Sequence, residues 1–329
     1  MSSEHSGHSG HGERTGQAAR TDDAIHPVRV HTEPGRHHDL SGPGSRGPLS
    51  ALVAGIGGDG DRFLVVNRVP DDPDVYVQVW HETGGDYQLE HREGAPDRHF
   101  QAFVDSAQEV VEVMLRWAAR EEGWDRGPAW ERLDFPVEEV APLDPEVAQE
   151  LTEAVRGWLR CGYDDRAALT ESAEEYLVSG DDRPVSRAQA ADLVDRLWRE
   201  RVAEQAGWVG ETDPERLTRA FEALDASGIT ARENFTCCRS CGLGEIHGDG
   251  EEDARGFVFF HSQCTEGVAD GGDLYLLYGG FEPDEELTAS VGREVVAALD
   301  GAGLAWTWDG SAHDAIRVTG MDWRKRLSG

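Results

Sequence analysis

Four short runs of alternating apolar and polar residues, at 63–69, 75–80, 87–90 and 99–104, are each set off by Gly, Pro or Asp. Period two places alternate side chains on opposite faces of a strand, so this stretch reads as a β-meander with one buried face. Val75, Val77 and Val79 share one face of the second run, and Tyr76, Gln78 and Trp80 the other. Gly84-Gly85 then offers the positive φ of a tight hairpin. The period changes at 106–121, where Val110, Val113, Met114, Trp117 and Ala118 recur at helical spacing behind Ser106, a side chain suited to an N-cap. With a last strand at 130–135, residues 49–136 make a small α+β domain.

Past a proline-bounded linker at 136–145, four amphipathic helical segments follow at about 144–160, 165–179, 186–206 and 213–227. Asp144-Pro145, Ser186 and Asp213-Pro214 mark helix starts, since a short acceptor side chain and a proline both suit the first turn. Strands return at 229–235, 256–261 and 274–278; a helix at 286–299 and strands at 304–308 and 315–318 close the chain. The fold class is therefore α+β: a β-meander-plus-helix domain, then a helical segment and a second α+β sheet domain within 137–329. Residues 1–48, rich in Ser, Gly, His, Arg and Pro, lack apolar periodicity and are expected to be a disordered tail. Seven of the 13 histidines lie there, which permits loose transition-metal binding.

The formal charge of −33 argues against nucleic acid, whose binders neutralise phosphate with basic patches. Lys325 is the chain's one lysine, so no Walker-type phosphate loop can be built. No run in the first 48 residues approaches the roughly 18 apolar residues of a spanning helix. A cytoplasmic protein without a membrane anchor is the expectation. Gly55-Ile56-Gly57-Gly58-Asp59-Gly60 satisfies a dinucleotide-binding string, but a strand follows it instead of a helix, so it reads as a glycine turn.

The strongest chemical signal is Cys237-Cys238-Arg239-Ser240-Cys241, with His261-Ser262-Gln263-Cys264 further on. Cys238, Cys241, His261 and Cys264 form two hooks of x-x spacing, a pattern that fits a tetrahedral structural zinc site. A C-x-x-C heading a short helix at 239–246 equally fits a redox dithiol, because the helix dipole favours the thiolate. Buried cysteines acting as small hydrophobes are the third reading. Glu233, Asn234, Glu245, Gln263, Thr265, Glu266, Tyr278 and Asp309 are polar residues in apolar surroundings that could border a cleft. No catalytic set emerges from them, and whether the protein is an enzyme is left open.

From Thr212-Asp213 onward, Ala220-Phe221-Glu222-Ala223-Leu224, Gly228-Ile229, Glu233 to Cys238 and Cys241-Gly242 resemble a bacterial family known as domain of unknown function 6891. Residues 256–261, 274–279 and 308–310 fit it too, and the likeness covers about 140–329. It implies a shared fold and carries no activity. Family members often have Asp where this chain has Cys264, which weighs against a four-ligand zinc site. Residues 49–136, through the meander, Tyr76-Val77-Gln78 and the Trp117 helix, resemble immunity proteins of bacterial toxin systems. The expected function is binding of another protein, with the cysteine cluster as a structural element; a thiol-redox or zinc protein built on Cys238 and Cys241 is the alternative.

Overall fold

The computed structural model describes residues 24–136, 139–251 and 253–327. The chain divides into two compact units, one of residues 1–69 with 74–135 and one of 70–73 with 136–329.

The first unit is a seven-stranded antiparallel sheet of β1 (Ile25–Thr32), β2 (His37–Gly42), β3 (Phe63–Arg68), β4 (Val75–His81), β5 (Tyr87–Glu93), β6 (His99–Val104) and β7 (Glu131–Leu133), with α1 (Arg46–Gly55) and α2 (Ala107–Ala118). Its order is β2-β1-β3-β4-β5-β6-β7. Val77 and Val79 face a core completed by Leu64, Val66 and Leu89 from neighbouring strands and by Val53 and Trp117 from the two helices. Ser106 caps α2 by accepting from the Glu109 N–H at 3.3 Å. Gly84, at φ +92°, turns β4 into β5.

The expected disordered tail needs correction from residue 24 onward, while residues 1–23 lie outside the described residues. Residues 25–42 form an edge hairpin that pairs through β1 with β3, from Val28↔Arg68 to Thr32↔Leu64. An edge hairpin buries little: Ile25, Val28 and Val30 suffice for it, and the rest of its surface tolerates His, Arg and Asp. Composition misled because the partners of β1 in the inner strand β3 lie 32 to 40 residues away. The glycine string 55–60 joins α1 to β3, so the helix precedes it and the strand follows, opposite to a dinucleotide loop.

His91, in β5, stacks on Phe100 with ring centroids 4.9 Å apart and meets the edges of Trp124 and Trp130. Burial pushes its pKa down to about 4. The folded value lies below the ordinary one near 6.5, so His91 contributes its full stability above pH 6.5. That contribution drains as the pH falls toward 4, because the unfolded chain takes up the proton first. The loss in the first unit should approach ~2–3 kcal/mol. Urea midpoints of H91F against wild type between pH 7 and 4 check this, and parallel pH dependences for the two proteins would refute it.

The second unit begins with α3 (Pro145–Cys161), α4 (Arg166–Glu175) and α5 (Arg187–Gln205), which close around Leu151, Val155, Leu169, Leu197 and Trp198. Then come α6 (Asp213–Ala226), β8 (Ile229–Arg232), α7 (Arg239–Asp249), β9 (Gly256–Phe259), α8 (Ser262–Ala269), β10 (Leu274–Gly280), α9 (Glu285–Gly301), β11 (Trp306–Thr307) and β12 (Ile316–Val318). Their sheet runs β11-β12-β10-β9-β8, with β8 and β9 parallel and the other pairs antiparallel.

Strand β9 shows how alternation builds the layers. Val258 and Phe260 join Phe221 of α6 and Val295 of α9 in the main core. Phe257 and Phe259 point to the other face and meet Ile246 of α7. Among the described residues, no helix is long and apolar enough to cross a membrane.

Candidate functional site

Two parallel strands end side by side, and each feeds a helix. Strand β8 runs through Glu233–Thr236 into α7, and β9 runs through Phe260 into α8. In open sheets with a parallel pair, the region beyond the carboxyl ends is where ligand groups gather, because helix N-termini face it.

The loop 233–238 is held in an unfavourable conformation. Asn234 and Thr236 adopt φ of +48° and +60°, and for a β-branched threonine this costs of order 1–3 kcal/mol. Four hydrogen bonds hold it there. Phe235 N–H donates to Phe260 O at 2.7 Å, and Ser262 N–H donates to Thr236 O at 3.1 Å. Thr265 Oγ1 donates to Asn234 Oδ1 at 2.7 Å, and Ser262 Oγ donates to Cys237 O at 3.1 Å. The loop therefore presents the cysteines from a rigid frame tied to the start of α8. Gly242 lets α7 close on the sheet, since a Cβ there would lie 2.4 Å from the Phe259 ring.

Cys238 is the N-cap of α7, so Cys241 is its third helical residue. That spacing brings a cap side chain and its N3 partner to one end of a helix. Cys237 joins them, with its Sγ 3.5 Å from that of Cys241. The three sulfurs all lie within 4.8 Å of one another, and each cysteine is a free thiol. Cys237 is exposed and the other two are half-buried.

The thiols differ in acidity. The backbone N–H of Cys241, together with the Cys241 and Cys237 thiols and the Ser240 N–H, holds Cys238 below the ordinary thiol range. Cys241 is pushed up to about 11, first by its hydrogen bonds to Cys237 and Cys238 and then by their charge. One thiolate is stabilised at Cys238 at the head of the helix, and Cys241 resists becoming a second.

His261 and Cys264 form a separate hook. His261 is the N-cap of α8, so here too cap and N3 side chains meet, with His261 Nε2 and Cys264 Sγ 3.4 Å apart. The strand ends at Phe259, so strand alternation no longer governs His261 and Cys264. Burial lowers the His261 pKa and raises that of Cys264, which keeps the pair neutral. Among the described residues, the compact ligand set is Cys237, Cys238 and Cys241. The expected set of Cys238, Cys241, His261 and Cys264 is thus divided between two helix heads, joined through Ser262.

Of the other polar residues singled out from the sequence, Asn234 and Thr265 bond each other within the frame. Tyr278 OH donates to Ser311 O at 2.5 Å and accepts from Trp308 Nε1 at 2.8 Å, a structural pairing. Glu245, Gln263, Glu266 and Asp309 are exposed. Glu233 has a role that spacing did not suggest. Its Oε2 accepts from Tyr163 OH at 2.6 Å and lies 3.1 Å from the Nζ of Lys325. Burial and the Glu233 charge push the Tyr163 pKa well up. Both Tyr163 and Lys325 were missed because each is far from Glu233 in sequence; the solitary lysine was the available signal.

Fold and site together define a class: a mixed-sheet α+β domain with a three-thiol cluster at the head of the helix that links its two parallel strands. The family described as domain of unknown function (DUF6891) matches residues 144–327, and the chain belongs to it. No curated protein and no solved structure matches the chain.

Proposed function

We propose that the second unit binds a thiophilic metal ion, zinc by the chemistry of its donors, through Cys237, Cys238 and Cys241. The observation that carries this is the mutual approach of the three sulfurs within 4.8 Å. A tetrahedral zinc with Zn–S of about 2.3 Å separates its sulfurs by about 3.8 Å. Thiols on a rigid loop therefore need little movement to bind, and the exposed side of Cys237 leaves a fourth position to water or a partner's group. Purified protein reconstituted with zinc should retain one ion per chain after dialysis, and cobalt substitution should produce a thiolate charge-transfer band. Dialysed protein with neither zinc nor such a band would dispose of the proposal.

The opposite displacement of the Cys238 and Cys241 pKa values favours a second reading, dithiol exchange. A stabilised thiolate at Cys238 would attack one sulfur of a substrate disulfide, breaking its S–S bond, releasing one substrate thiolate and forming a mixed disulfide. Cys241, after giving up its proton, would then attack Cys238 Sγ and release the second substrate thiolate, leaving a Cys238–Cys241 disulfide and a reduced substrate dithiol. Equilibration in glutathione buffers separates the readings, because this one requires a defined two-electron midpoint.

For the whole chain we propose a cytoplasmic, non-enzymatic role in binding another protein, without nucleic acid or membrane as partner. The charge of −33 supports it, since such a surface repels polyanions and attracts basic partners. The proposal stands if immobilised protein retrieves a preferred basic protein from lysate in a salt-sensitive manner, and repeated failure at low salt counts against it. The likeness of residues 49–136 to toxin-immunity proteins points the same way.

A further inference from the structure

The sheet of the first unit buries one face under α1 and α2, and its other face carries two cross-strand rows. Phe63, Trp80, Gln88 and Phe103 pair in succession across β3 to β6, and beside them run Val65, Gln78, Glu90 and Gln101. Large aromatics are normally withdrawn from solvent, yet Phe63 and Trp80 are each 38% exposed and Phe103 is 61% exposed. A cavity of about 430 Å³ opens here, lined by Phe63, Gln78, Val79, Trp80, Gln88 and Glu90. At this site Glu90 is held in place: Gln88 Nε2 donates to its Oε1 at 2.6 Å, Gln78 Nε2 donates to its Oε2 at 2.7 Å, and His99 Nε2 lies 3.0 Å from that same oxygen.

The next row of the same face holds an arginine between rings and a carboxylate. The guanidinium of Arg92 stands over the rings of Tyr76 and Phe135, 5.7 Å from each centroid, and bonds the Asp74 carboxylate at 2.9 Å. Trp80 and Glu90 likewise place a ring and a carboxylate on the lining of one cavity, in adjacent rows, and among the described residues no guanidinium stands over Trp80. Trp is the best cation–π partner, and a planar guanidinium can stack on a ring while donating to a carboxylate. We propose that this face is a docking site for an arginine-bearing segment of another protein, with the arginine seated between Trp80 and Glu90. The inference rests on the protein-binding reading of the whole chain and is independent of the thiols.

The test is calorimetric titration of the full chain, at physiological salt, with a capped Gly-Arg-Gly-Arg-Gly peptide and its citrulline counterpart. Binding of the arginine peptide alone is expected, weakened at least tenfold by W80A and by E90Q. E122Q, which removes an exposed charge of the same unit, should leave it unchanged. Because Glu90 ties three side chains, E90Q counts only if its circular dichroism and melting match wild type; F103A is the substitute. The proposal is overturned if W80A binds as wild type does, or if E122Q weakens binding as much, which would reduce the effect to general charge attraction. Absence of any binding also overturns it, while capture of a basic protein from lysate would still leave the broader protein-binding reading standing.

Discussion

Replacing Lys325 by Ala is expected to lower the stability of the second unit by about 3 kcal/mol, the lower end of the range for stripping one partner from a buried ion pair. Lys325 Nζ lies 3.1 Å from Glu233 Oε2, with the two side chains only 18% and 14% exposed. It also stands 4.5 Å from the centroid of the Tyr163 ring. Removing the ammonium leaves the Glu233 carboxylate with the Tyr163 hydroxyl as its remaining donor, while its other oxygen is already buried without a partner. The cost comes from that stranded charge and less from the lost attraction. A K325M/E233L double variant should therefore recover more than half of the loss, since it withdraws both charges together. Urea unfolding followed by a probe confined to the second unit measures this, because a two-unit chain need not unfold in one step. A K325A shift below 1 kcal/mol would show that water already reaches the pair. Glu233 stands directly before the strained loop of the cysteines, so K325A should also speed modification of Cys237 and Cys238 by a thiol reagent.

Replacing Cys238 and Cys241 by Ser should abolish zinc retention and the zinc-dependent part of stability. Free zinc at 100 times its dissociation constant adds about 2.7 kcal/mol to a protein that binds it only when folded. Wild type should gain and lose about that much on zinc addition and chelation, and the double variant should respond to neither. The apo fold should persist, because the main core around Phe260 and Val295 is built without the thiols. This distinguishes the site from zinc fingers, which unfold when the metal leaves. Acid should release the ion, since Cys241, with a pKa pushed up to about 11 in the free protein, must lose its proton to bind. A wild-type melting temperature indifferent to zinc, together with a reversible Cys238–Cys241 disulfide, would move the assignment to dithiol exchange.

The sequence by itself determined what depends on local periodicity. Alternation located β3 to β6, the helical stripe located α2, and Ser106, Ser186 and the Asp-Pro pairs marked helix starts because capping is settled within four residues. The spacing of Cys238 and Cys241 likewise set their meeting at one helix head, since a cap and its N3 residue meet wherever a helix begins. Only the tertiary structure decided the rest. It turned the polar residues 25–42 into an edge hairpin, which needs no core-facing run of its own. It began α8 at Ser262, so His261 met Cys264, and it brought Cys237 into the cluster with Cys238 and Cys241 through a backbone turn that no residue type announces. It also placed Lys325 against Glu233 across 92 residues. Such pairings carry no periodic mark in the sequence because their free energy is gained only when distant segments have already packed.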